Sequence, residues 1–149
     1  MEEQQPEFDQ LNLVVADMDA TLAFYRKAGL AVSDSFGEWP PGSGARHVDV
    51  RFPNGMRLEF DNLPMARIWH AGSRADRHGS KPVIGLSLPS REAVNERYAD
   101  LTAAGYTGCQ PPYDAFWGAR YAIVEDPDGN DVGLMSPIDP KRKFEPALD

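Results

Sequence analysis

Apolar and polar positions alternate along this chain in short runs, and the order of the runs repeats. Leu11, Leu13 and Val15 alternate with Asn12 and Val14, the period of a strand. Met18, Leu22 and Tyr25 then take helical spacing over residues 18–28. Asp17 stands before them as the N-cap, where its carboxylate can accept from exposed helix N–H groups. Gly29 supplies the stop, because glycine enters the left-handed region without a Cβ clash. Strand-like stretches follow around 31–36, 45–52 and 56–61. Pro53-Asn54-Gly55 joins the last two, Asn-Gly being a strong hairpin signal.

The second half runs in the same order. A strand is expected over 83–88, then Ser90 as N-cap and a helix over 91–104 with Val94, Tyr98 and Leu101 on one face. Gly105 stops it, a strand near 106–110 follows, and Pro111-Pro112 reads as a loop. A last hairpin, 119–125 with 131–136, turns around Asp126-Pro127-Asp128-Gly129-Asn130. Tyr25 and Tyr98 lie 73 positions apart, as do Asp17 and Ser90. This is the signature of an internal duplication of strand, helix and three strands. The fold expected is α+β, with two tandem βαβββ modules over 8–61 and 83–137. Residues 62–82 read as a linker, polar over 73–81, and 138–149 as a loosely packed, extended tail. Modules this small bury too little alone, so the two should share one core.

Composition narrows the partners. A formal net charge of -8 argues against nucleic acid and anionic membranes and suits a neutral or cationic ligand, although acidity also serves solubility. The one cysteine, Cys109, excludes an intramolecular disulfide and a CxxC zinc site, and is expected to be a small, partly buried residue. Met1 to Pro6 is polar and acidic, unlike a signal peptide, and no apolar run reaches membrane-spanning length. A cytoplasmic location is expected.

Three stretches carry a family likeness. They are the opening strand, Asp17 cap and Phe24-Tyr25 helix; residues 86–90 leading into Leu101 to Gly105; and the turn Glu125-Asp126-Pro127-Asp128-Gly129-Asn130. With the duplication, they resemble the glyoxalase, bleomycin-resistance and extradiol-dioxygenase superfamily, the vicinal oxygen chelate proteins. That resemblance implies a cup-shaped mixed sheet with helices outside, a homodimer, and in the enzymes a divalent metal held by His or Glu side chains. The four ligand positions fall on Gln10, Glu59, Val83 and Gly133. Glu59 is a good donor and Gln10 a poor one, whereas Val83 and Gly133 offer no side-chain donor. The pattern is similar to the metal-free, bleomycin-resistance-like members.

Strand alternation names the cleft-facing groups. The first module presents Asn12, Val14, His47, Asp49, Arg51, Arg57, Glu59 and Asp61. The second presents Val83, Gly85, Ser87, Asp131, Gly133 and Met135, with Gly85 and Gly133 leaving room. Asn12, His47, Asp49, Arg57, Glu59, Trp117 and Met135 are the candidate ligand contacts, Trp117 as a stacking platform. The same charges also fit an ion-pair network facing water, and Arg57 with Glu59 a satisfied pair. His47 and Glu59 are the possible metal ligands, while His70, His78 and Trp69 lie in the linker. No catalytic residue is assigned. The expected function is metal-free binding or sequestration of a small organic molecule, without a cofactor. The alternative is a metal-dependent lyase, isomerase or dioxygenase with an unusual ligand set.

Overall fold

The computed structural model describes residues 10–33, 37–69 and 83–145. The chain forms two compact units, Met1–Arg77 and His78–Asp149. In the first, β1 (Gln10–Val15) leads through α1 (Met18–Lys27) to β2 (His47–Arg51), β3 (Arg57–Asn62) and a short α2 (Leu63–Trp69). The sheet order is β1-β3-β2, with β1 parallel and β2 antiparallel to β3. Asp17 caps α1 as its type predicts, its Oδ1 accepting from the Ala20 N–H at 3.1 Å. Gly29 follows at φ 105°. Val48, Val50, Leu58 and Phe60 are buried, as are Leu22, Phe24 and Tyr25 of α1. The Tyr25 and Phe60 rings meet at a centroid distance of 4.9 Å, so one aromatic pair joins helix to sheet.

The second unit holds β4 (Val83–Ser87), α3 (Arg91–Ala103), β5 (Gly108–Asp114), β6 (Arg120–Glu125) and β7 (Asp131–Met135). A 3-10 turn, Pro140–Arg142, follows. The sheet order is β4-β7-β6-β5. Ser90 Oγ caps α3 by accepting from the Ala93 N–H at 3.0 Å. Val94 and Leu101 of the helix are fully buried, as are Val124, Val132 and Leu134 of the sheet. The β6–β7 turn is built around Asp126, which is 4% exposed. Its Oδ1 accepts from the Asp128 and Asn130 N–H groups and its Oδ2 from the Asn130 side chain, each at 2.9 Å.

Four expectations are corrected. No strand forms over Ala31, Val32 and Ser33; the rest of that stretch lies outside the described residues. The Val32 N–H bonds locally to the Leu30 carbonyl, and the Val32 carbonyl accepts from Arg26 Nε at 3.3 Å, so neither enters a ladder. The linker opens as helix α2 rather than coil. Pro111 and Pro112 lie within β5, which tolerates them as an edge strand with register shifts between Gly108, Gln110 and Tyr113. The tail is tied down as far as Phe144: the Asp139 N–H bonds to Gly118 O and the Phe144 N–H to Phe116 O, each at 3.0 Å.

Asn62 explains the unexpected helix. Its Oδ1 accepts from the Met65 N–H at 3.1 Å, the capping bond of α2, and from the Arg46 N–H at 2.9 Å. Its Nδ2 donates to Gly44 O at 2.8 Å. One side chain therefore ties α2 to the segment entering β2. Asn62→Ala is expected to cost about 1–2 kcal/mol, read as a lower urea midpoint with unchanged slope.

Candidate functional site

Register places the first unit's polar residues in three rows on one sheet face. Gln10, Arg57 and Arg51 form the first row, Asn12, Glu59 and Asp49 the second, and Val14, Asp61 and His47 the third. The register therefore puts Asn12, His47, Asp49, Arg57 and Glu59 on one face of the sheet. It does not show which side chain of that face is buried. Asp61 is 2% exposed although it lies on the polar face.

Asp61 is covered because its oxygens are engaged. His47 Nδ1 lies 2.5 Å from Asp61 Oδ1, and Asn12 Nδ2 donates to Asp61 Oδ2 at 2.8 Å. A carboxylate accepts and does not donate, so the proton of that short bond sits on His47 Nδ1. In the neutral ring Nε2 is then an unprotonated acceptor. The His47 side chain is 41% exposed, and among the described residues nothing bonds Nε2. Asn12 Oδ1 is buried without a partner. Turning that amide over would aim Oδ1 at the carboxylate, so Asn12 holds Asp61 at the expense of its own acceptor.

The other charges on the face are loosely paired. Arg51 Nε donates to Asp49 Oδ2 at 3.2 Å. Arg57 donates to Gln10 Oε1 at 2.8 Å and stands 3.8 Å from Glu59 Oε1. The Arg57–Glu59 pair expected from strand spacing is thus a charge contact, and Gln10 takes the hydrogen bond.

The second unit presents a different surface. Trp117 Nε1 lies 3.3 Å from Met135 Sδ, and the Trp117 ring meets Tyr121 at 5.3 Å and Phe116 at 5.2 Å. Trp117 and Met135 are therefore brought together as one aromatic–thioether cluster. Tyr121, read from the sequence only as part of a strand, belongs to it. Burial raises its hydroxyl pKa, with the Tyr113 and Asp131 neighbours adding to the effect. Gly85 is open, as expected. Gly133 is not: a Cβ there would lie 2.6 Å from Tyr121 Oη, so the Tyr121 ring fills the space.

Cys109 is exposed rather than partly buried. Its Sγ lies with carboxylate oxygens of Glu125 and Asp131, all within 4.8 Å of one another. Glu125 and Asp131 face each other across β6 and β7. Desolvation raises the thiol pKa, and the two carboxylates raise it further. This neighbourhood was invisible in the sequence because the three residues come from three strands.

With these faces described, the chain can be set beside known proteins. A family model, the glyoxalase/bleomycin resistance protein/dioxygenase superfamily, matches residues 7–134. The chain belongs to this superfamily. An uncharacterized Mycobacterium bovis protein is 27% identical over 128 residues, covering 85% of this chain and 81% of its own length. A superfamily protein from Nocardioides has TM-score 0.66 at 23% identity, covering 93% of this chain and 87% of that one. A superfamily enzyme from Burkholderia phytofirmans has TM-score 0.70 at 19% identity, covering 86% and 96%. These structures share the fold. Among the described residues, no helix is long and apolar enough to cross a membrane.

At the superfamily's four ligand positions the donor chemistry is sparse. Gln10 Oε1 accepts from Arg57, Val83 and Gly133 have no donor, and Glu59 alone carries a carboxylate. Among the described residues, no set of three ligand atoms gathers around His47 or Glu59; the Cys109 set is the one that does. The residues present do not fit the superfamily's metal centre.

The raised thiol pKa gives a direct check. Cys109 should react with an aromatic disulfide at neutral pH more slowly than free cysteine, despite its exposure. Glu125→Gln should speed that reaction by roughly threefold, because losing the carboxylate lowers the thiol pKa and enlarges the thiolate fraction.

Proposed function

We propose that this protein binds a small organic molecule through its hydrogen-bond donors, without a metal, and sequesters it rather than transforming it through a metal centre. The observation that carries the reading is the polar face of the first unit, where an imidazole and carboxylates stand beside the row that holds Arg51 and Arg57. There His47 Nε2 and the carboxylates of Asp49 and Glu59 stand in adjoining rows, with His47 fixed by Asp61. Acceptors of this kind favour neutral or cationic donors and disfavour anions. The aromatic cluster of Trp117, Tyr121 and Met135 is a separate candidate contact, suited to the flat face of a planar group. The ligand donors that two superfamily positions lack support the metal-free reading. We extend the proposal to a homodimer, the form the family resemblance implies.

Elemental analysis of protein purified without chelator tests the metal question, with Glu59→Ala and Cys109→Ser variants alongside. Less than about a tenth of an equivalent of any transition metal is expected, before and after Zn²⁺, Mn²⁺, Ni²⁺ or Fe²⁺ is offered and washed away. One equivalent lost in Glu59→Ala but kept in Cys109→Ser would contradict the reading. Benzamidine, and not benzoate, should shift the backbone amide resonances of β2 and β3.

A further inference from the structure

We infer that His47, positioned by Asp61 and Asn12, is a general base that takes a proton from a small neutral molecule bound at this face. The inference rests on the metal-free reading of the same face and adds proton-transfer chemistry to it.

The arrangement has the parts that such a base requires. A general base needs a lone pair directed outward, a fixed tautomer and a group that stabilises the charge it acquires. His47 Nε2 supplies the lone pair, on a ring that is 41% exposed. Asp61 fixes the tautomer through the 2.5 Å contact at Nδ1. Its carboxylate, 2% exposed, also stands where the imidazolium formed by proton uptake needs a negative charge. Asn12 completes the chain by donating to the second Asp61 oxygen. Its Oδ1 is buried without a partner, so the network is held at the expense of one unsatisfied acceptor. An ordinary surface ion pair needs none of this support.

The chemistry follows from the charges on the face. Asp49 and Glu59 disfavour an anionic substrate, so the molecule arrives neutral and carries a weakly acidic C–H bond. Arg57, one-third exposed and already donating to Gln10, adds a positive charge to the same face. The reaction class is elimination or isomerisation by proton transfer, which requires no oxidant, reductant or metal.

5-Nitrobenzisoxazole is the probe. Nε2 of His47 takes the ring C–H proton, and the C–H electron pair becomes part of the nitrile. The N–O bond breaks and its electrons leave on oxygen as a coloured phenolate. The imidazolium then returns its proton to water. The wild-type protein is expected to exceed the same concentration of free imidazole by about a hundredfold. His47→Gln should return the rate to that of imidazole or below while keeping the circular dichroism spectrum. Asp61→Asn should lower kcat by roughly tenfold or more with KM within about twofold, the pattern of a positioning residue rather than a folding defect. A wild-type rate no greater than imidazole, or an undiminished His47→Gln rate, overturns the inference. Either result in a protein shown free of metal leaves the binding reading standing; metal bound through Glu59 removes that reading instead.

Discussion

A carboxylate stays buried in a sheet only if its oxygens are bonded, and the first unit is arranged around that requirement. Asp61 sits on the polar face of β3, flanked by Val14 of β1 and His47 of β2. His47 and Asn12 reach it from the two neighbouring strands, so one acidic side chain links all three. Its opposite face is apolar: Leu58 and Phe60 alternate with Glu59 and Asp61 along the same strand, and Phe60 meets Tyr25 of α1. The strand period that buries the aromatic pair on one side therefore delivers the imidazole and carboxylates to the other. A register slip of one residue would exchange the two sets, which is why packing and chemistry are specified together here.

The second unit answers the same topology with different side chains. Where the first sheet carries charge in every row, β6 and β7 carry Tyr121, Ile123, Gly133 and Met135, with Glu125 and Asp131 at the hairpin end, and Trp117 meets Met135 and Tyr121 from the preceding loop. The motif that most resembles the superfamily, Asp126 to Asn130, is a turn built on a carboxylate that accepts three local bonds. Its chemistry is structural, so it identifies the fold and says nothing of the ligand. The two modules share their capping signals and differ in the faces they present.

Much of the fold was legible in the sequence because its signals are local. Both helices of the repeat begin at the caps expected, Asp17 and Ser90, and the strands holding Leu58 and Val132 follow from period-two alternation. Helix α2 was missed because its cap, Asn62, is also the last strand residue and was read as the start of the 62–82 linker. β5 was missed in part because Pro-Pro argues against a strand unless an edge accommodates it. At the site, the face of each side chain was legible and its partner was not. Asp61 and His47 are 14 positions apart, and only strand pairing turns two surface-looking residues into a buried carboxylate and an oriented imidazole. Gly133 shows the converse, since the room it leaves is taken by a ring from the next strand.

The account depends most on the state of one ring. A two-bond proton–nitrogen NMR spectrum of uniformly labelled protein, at mildly alkaline pH, reports which imidazole nitrogen carries the proton. His47, assigned by its absence in His47→Gln, should show a protonated Nδ1 and an unprotonated Nε2. A ring protonated at Nε2, or the averaged signals of a freely exchanging imidazole, would mean that Asp61 does not hold it, and the central claim would fail.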